Sequence, residues 1–205
     1  MKKCLITTKK LNKRKINWDD YDFFIGVERG AKFIYKQKNL KNRYYISDFD
    51  SLLNYQERLK KTGNLILLEK NKNFADTEEA IKYALKIGYQ TKDLEIFVNE
   101  DLGRKDHLIN IFNISRKYKV LIYGNKFKIT PILENENVII KKENYKYFSI
   151  FVFEKTEITT KGLKWDLNKK EFNLESTTNL ISNQIIAEQC KVKFSKLSLI
   201  IQAND

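Results

Sequence analysis

The chain has 205 residues, 42% of them apolar and 13% aromatic, with a single proline; this is enough to bury one large core or two smaller ones, and it excludes a disordered chain. Basic residues outnumber acidic ones by 39 to 26, a net charge of +13, which raises nucleic-acid binding and a solvated lysine-rich surface as alternatives. Only two cysteines (Cys4 and Cys190), one histidine (His107) and short apolar runs exclude a disulfide framework, a multi-histidine zinc site and a membrane helix.

In chain order, six short runs rich in β-branched and aromatic residues predict buried strands: 3–8, 22–27, 43–48, 64–69, 94–99 and 119–124. Helical patterns lie between them. SLLNYQERLKKTG opens on Ser51 as an N-cap and stops at Gly63, and DTEEAIKYALKIGY carries acids in its first turn and ends near Gly88. KDHLINIFNISRKY, from 105 to 118, has the apolar face of a helix packed on a sheet. Strands alternating with helices predict a parallel sheet covered on both faces. From residue 126 the pattern changes to short β-rich runs without a long helix, which predicts an antiparallel β domain, a sandwich or a barrel. The expected domains are therefore 1–125 and 126–205.

Ligands of parallel α/β sheets bind beyond the carboxyl ends of the strands. The junctions there are GVERGA, SDFDS, NKNFADTE and NEDLGRKDH, and they supply Glu28, Asp48, Asp50, Asp76 and Asp106. Converging acids repel unless a hard cation neutralises them, and Mg²⁺ takes a few carboxylates while leaving positions for phosphate oxygens. Arg104 and Lys72 offer positive charge to the same phosphates. Each residue also has a plainer reading: the acids as caps or first-turn charges, Arg104 and Asp106 as a surface pair, His107 as a helix start. No glycine-rich phosphate loop of known type is present. The lysines are spread along the whole chain, and the cluster KKLNKRK at 9–15 fits an exposed loop, so a solvated surface is expected rather than a nucleic-acid interface.

In order and spacing, GVERGA, SDFDS, KNFADTEEAIKYAL and LGRKDHLIN resemble the thiamine pyrophosphokinase family, and GLKWDL (162–167) and SNQ (182–184) continue the resemblance through the β-rich half. The resemblance implies a Rossmann-like parallel-sheet α/β domain followed by an antiparallel β-sandwich, and a homodimer with its sites between subunits; the few cysteines and the short apolar stretch at the N-terminus lead to the expectation of a reduced, cytoplasmic protein. It also implies the reaction: the hydroxyl of thiamine attacks the β-phosphorus of ATP to give thiamine diphosphate and AMP. It assigns Asp48, Asp50, Asp76 and Asp106 to Mg²⁺, with Asp76 accepting the hydroxyl proton and Arg104 neutralising phosphate charge. Glu28, Lys72, Arg104, Asp106 and His107 are the expected ATP contacts; Trp165, Ser182 and Asn183 are the expected thiamine contacts. The sequence departs from the family pattern at Glu28, Arg29, Ser47, Asn73, Ala75, Leu102 and Gln184. Two rivals stand beside this reading: a pyrophosphokinase of the same fold acting on another alcohol such as a hydroxymethyl pterin, and a non-enzymatic basic RNA-binding module.

Overall fold

The computed structural model describes residues 3–8, 10, 16–47, 53–67, 75–98 and 105–205. Asp48, Asp50, Ser51, Lys72, Asn73, Leu102 and Arg104 lie outside the described residues. The chain forms two compact units: Met1–Arg104 with Tyr123–Asn125, and Lys105–Ile122 with Lys126–Asp205.

In the first unit, strands β1 (Cys4–Thr7), β2 (Phe23–Val27), β3 (Arg43–Ser47), β4 (Leu65–Leu67) and β5 (Leu94–Phe97) pair in the order β4-β3-β2-β1-β5. All four pairings are parallel, as the alternation of the sequence predicts. Helix α1 (Arg29–Lys36) follows β2, α2 (Gln56–Lys60) precedes β4, and α3 (Asp76–Lys86) precedes β5. Ring contacts show which face each helix covers. Tyr35 of α1 meets Tyr45, whereas Tyr83 of α3 meets Tyr44, the next residue of the same strand. Successive strand residues point to opposite faces, so α1 and α3 cover opposite sides of the sheet. Leu5, Ile6, Ile25, Ile46 and Ile96 are sealed between them.

Helix α1 was not read in the sequence, where GVERGA is only a polar junction. It starts at once after β2 because two glycines let backbones touch. A Cβ on Gly26 would lie 2.5 Å from the Cα of Ala31, and one on Gly30 would lie 1.9 Å from the Thr7 carbonyl oxygen. The Gly30 N–H donates to the Thr8 carbonyl at 2.8 Å, tying the end of β1 to the first turn of α1. At the other edge of this unit the buried Glu95 carboxylate accepts from Lys3 Nζ at 2.7 Å and Tyr21 Oη at 2.6 Å. Two donors offset the cost of burying that charge.

The second unit begins with α4 (Lys105–Tyr118); the chain then runs through the short strand β6 (Leu121–Tyr123), and the rest of the unit is β-rich. Strands β7 (Phe127–Ile132), β13 (Ser198–Ala203) and β9 (Tyr147–Val152) form one antiparallel group, and β11 (Lys170–Phe172), β10 (Thr156–Lys161), β12 (Gln189–Phe194) and β8 (Asn137–Lys141) form the other. Between them lies a core of Ile132, Phe148, Ile150, Ile200, Ile158, Val192 and Phe194, the inward residues of each strand. This is the expected sandwich. Helix α4 packs on the outer side of the first group, where Phe112 meets Phe151 and Phe153 at 5.3 and 5.8 Å and Arg116 lies over the Phe153 ring. Those contacts group the helix with the β-rich unit.

Candidate active site

The first unit carries Glu28 and Asp76. Glu28 sits between β2 and α1 with φ +49° and ψ −120°, a conformation that favours glycine and costs a side-chain-bearing residue about 1–3 kcal/mol. Its N–H donates to the Ile46 carbonyl at 2.9 Å, and its own carbonyl accepts from Ala31 to open α1. Strain held in place by neighbouring strands is typical of functional junctions. Asp76 is the first residue of α3, half-buried, and the Ala75 carbonyl before it accepts from Glu78 and Glu79. Glu79 is paired with Lys82 at 2.9 Å, while Asp76 lies at the positive end of the helix dipole. Ala75 at the N-cap provides no side-chain cap.

Asp106 and His107 lie in the first turn of α4, both exposed. Among the described residues, no three His, Cys, Asp or Glu side chains gather to hold a metal ion; Asp48 and Asp50 are not among those residues. The donors that are described, carboxylates at helix starts, have the hard-oxygen chemistry that Mg²⁺ takes.

The second unit carries Trp165, Ser182 and Asn183 on two facing segments. Gly162, at φ +106°, turns the chain out of β10; a Cβ there would lie 2.7 Å from the Gln189 carbonyl. The segment from 162 to 165 then runs antiparallel to 183–186, with Lys164 N–H donating to the Gln184 carbonyl at 2.8 Å and Ile186 N–H to the Gly162 carbonyl at 3.1 Å. Leu163 and Ile185 point into the core, and Trp165 is 57% exposed. The ring is presented outward, with Lys164 Nζ over it at 4.6 Å.

The backbone of Trp165 is held firmly. Asn183 Oδ1 accepts its N–H at 3.2 Å and that of Gln184 at 2.8 Å, and Asn183 Nδ2 donates to the Trp165 carbonyl at 2.9 Å. The Asn183 amide is thus engaged with the loop that carries the indole. Ser182 has φ +60° and is exposed, its N–H donating to Ser149 Oγ at 3.1 Å. Sequence reasoning missed Asp166. Its Oδ1 accepts from Leu163 N–H (2.9 Å) and Thr160 Oγ1 (3.2 Å), and its Oδ2 from Gly162 N–H (3.0 Å). The available signal was an aspartate closing a turn that a glycine opens, since aspartate bonds nearby backbone N–H groups.

The first unit thus carries Glu28 and Asp76 at the starts of α1 and α3, and the second carries an outward-facing indole pinned on its sandwich. The family model for the thiamin pyrophosphokinase catalytic domain matches residues 15–129, and that for the vitamin B1 binding domain matches 136–199. The chain belongs to the thiamin pyrophosphokinase family. Among solved structures, it is similar to a thiamin pyrophosphokinase family protein from Enterococcus faecalis, with 22% identity, a TM-score of 0.82 and all of both chains covered. It is also similar to the enzyme from Geobacillus thermodenitrificans (21%, TM-score 0.77, 100% of this chain and 98% of the other) and that from Bacillus subtilis (20%, TM-score 0.74, both chains covered in full). At these identities the likeness is one of fold. No curated protein matches the chain significantly.

Proposed function

We propose that the protein transfers the pyrophosphoryl group of ATP to the hydroxyl of thiamine, giving thiamine diphosphate and AMP. The observation that carries this reading is that both family domains, catalytic and vitamin B1 binding, are present in one chain. The hydroxyl oxygen forms a bond to the β-phosphorus while the bond from that phosphorus to the α–β bridging oxygen breaks, so AMP leaves and the hydroxyl proton passes to a base. Asp76 is the proposed base. Transfers of this kind depend mainly on positioning and on neutralising charge. Arg104 and Lys72 are assigned to the phosphates, and Glu28, Asp106 and His107 to the nucleotide. Mg²⁺, held by Asp76 and Asp106 with Asp48 and Asp50, would screen the phosphate charge and fix its orientation.

Trp165 is assigned to thiamine, a flat cation that gains from an aromatic face. Ser182 is assigned to its polar edge. The engaged amide of Asn183 supports a role for that residue in holding the indole. We further propose a homodimer with sites between subunits. Exposed Trp165, Ile181 and Ile186 in the second unit support a covering partner. No helix among the described residues is long and apolar enough to cross a membrane, and the two buried free thiols suit a reducing cytoplasm.

The test is formation of AMP and thiamine diphosphate from ATP, Mg²⁺ and thiamine by the purified protein, with a hydroxymethyl pterin as the competing acceptor. Turnover of the pterin with none of thiamine would sink the assignment. For the dimer, assayed at thiamine far below the raised KM of a Trp165→Ala, Ser182→Ala chain, an Asp76→Asn chain refolded together with that chain should regain about one quarter of wild-type activity per chain, from mixed dimers with one intact site. Mixed dimers no more active than their parents would place each site within one chain.

A further inference from the structure

In the sequence the lysines are dispersed, but the four-stranded sheet of the second unit gathers several of them on one surface. On β12, Lys191 and Lys193 alternate with the buried Cys190, Val192 and Phe194, so both point outward. The register sets Lys161 of β10 directly opposite Lys191, and Thr159 opposite Lys193. Lys169 joins them from the turn before β11; its backbone is held at φ +46° with its N–H on Thr159 Oγ1 at 3.2 Å. These four lysines line an open groove of about 590 Å³ whose floor is made by Ile139, Thr159 and neighbouring strand residues.

Like charges directly opposite on a sheet are destabilising, and lysine is not a residue that settles easily at positive φ. None of the four makes an ion pair with an acid among the described residues, whereas lysines elsewhere on this unit do: Lys155 with Glu171, Lys196 with Glu134 and Lys146 with Asp205. The acids of the same face, Glu157 and its cross-strand neighbour Glu171, lie toward the other end of β10. Charge is therefore separated along the sheet, which leaves a cationic groove without internal compensation.

We infer that this groove is a docking surface for the sugar-phosphate backbone of a nucleic acid, separate from the residues assigned to catalysis. Successive outward lysines on one strand are about 7 Å apart and neighbouring strands about 5 Å, which places a lysine near each of several consecutive phosphates. Lysine is a hydrated point charge suited to such contacts. Among the described residues no aromatic ring lines the groove, so bases would not be stacked and binding would be independent of sequence. The lack of a tryptophan or phenylalanine anchor also disfavours a membrane surface.

The test is fluorescence anisotropy of a labelled, mixed-sequence 20-nucleotide RNA with the full chain, against a salt series. Four phosphate contacts to a single strand give a slope of log affinity on log salt near about −3. The variant Lys161→Glu, Lys191→Glu, Lys193→Glu should bind roughly 30-fold more weakly at 50 mM salt, with unchanged melting temperature and unchanged turnover of ATP and thiamine. A control with the same charge change on the first unit, Lys38→Glu, Lys41→Glu, Lys92→Glu, should stay within about threefold of wild type, because none of the three lines the groove. Equal losses in both variants would overturn the inference, because net charge rather than the groove would then be responsible. So would wild-type protein that does not bind RNA at 50 mM salt, or that binds phosphatidylserine vesicles and not RNA.

Discussion

In the first unit, Glu28 and Asp76 stand where the backbone itself sets the geometry: a turn at φ +49° seated against Ile46, and the opening residue of a helix. In the second unit the main chain around Trp165 is set by side chains, with the Asn183 amide on one flank and the Asp166 carboxylate on the other. A site built from strand ends needs close backbone contacts and so depends on Gly26 and Gly30. A site built on a loop depends on polar side chains that hold the backbone of that loop. The first arrangement suits residues that must hold charge at fixed points, and the second suits a ring that must stand away from its own core.

If that contrast is right, substitutions should divide between chemistry, stability and thiamine affinity. The largest effect is expected from Asp76→Asn: kcat for AMP release should fall about 1,000-fold with the fold retained, as for loss of a general base. A kcat within tenfold of wild type would remove Asp76 from the chemistry. Next, Gly30→Ala should cost at least about 3 kcal/mol, the upper range for overpacking, because its Cβ would meet the Thr7 carbonyl; calorimetry showing an unchanged melting temperature would mean that the junction is looser than described. Trp165→Ala should raise KM for thiamine about tenfold through lost cation–π contact, with KM for ATP and the melting temperature nearly unchanged, and Trp165→Phe should recover most of the loss.

Asp166→Asn replaces one acceptor with a donor facing the Gly162 N–H. It should raise KM for thiamine about threefold through lost hydrogen bonding and add nothing when combined with Trp165→Ala. Additive losses would show that Asp166 acts on something other than the indole. The smallest effect concerns Cys190, whose thiol is pushed from 9.0 up to about 12 by burial first and by the nearby Asp166 second. A raised folded-state value stabilises the protein fully below pH 9 and less as pH rises toward 12. Cys190→Ala should therefore flatten the alkaline fall in stability over that window, and denaturant midpoints measured from pH 8 to 11 would reveal it.

Much of the fold was readable because periodicity reports burial. The six strands of the α/β pattern and the helices at 76–86 and 105–118 follow from apolar spacing and from Gly63 and Gly88, both found at positive φ. Helix α1 escaped because ERGAKFIYKQ looks polar and its start relies on tertiary contact at Gly30, which no local pattern records. Of the acids read at the strand ends, Glu28 falls at the turn between β2 and α1 and Asp76 at the start of α3, while Asp48 and Asp50 lie outside the described residues. Asp166 was not readable, since its function is to satisfy three donors whose proximity arises only after β10 has turned at Gly162. The groove of lysines was hidden for a related reason: Lys161 and Lys191 are far apart in the chain and become neighbours only through the register of β10 and β12.

The division of the chain also bears on how it is made. The polypeptide passes between its two compact units at 104/105, at 122/123 and at 125/126. In the first unit the Val98 N–H finds its acceptor, the Tyr123 carbonyl, at 2.8 Å, and the Phe97 and Tyr123 rings stack at 4.9 Å. A ribosome releasing the chain from its N-terminus delivers β5 well before Tyr123, and all of α4 must emerge in between. Until then the β5 edge is an open strand during synthesis, a template for pairing with another nascent chain. A gene cut after residue 104 would make that exposure permanent, so the α/β half expressed by that boundary should aggregate, and an internal linker carrying 123–125 back to β5 should rescue it.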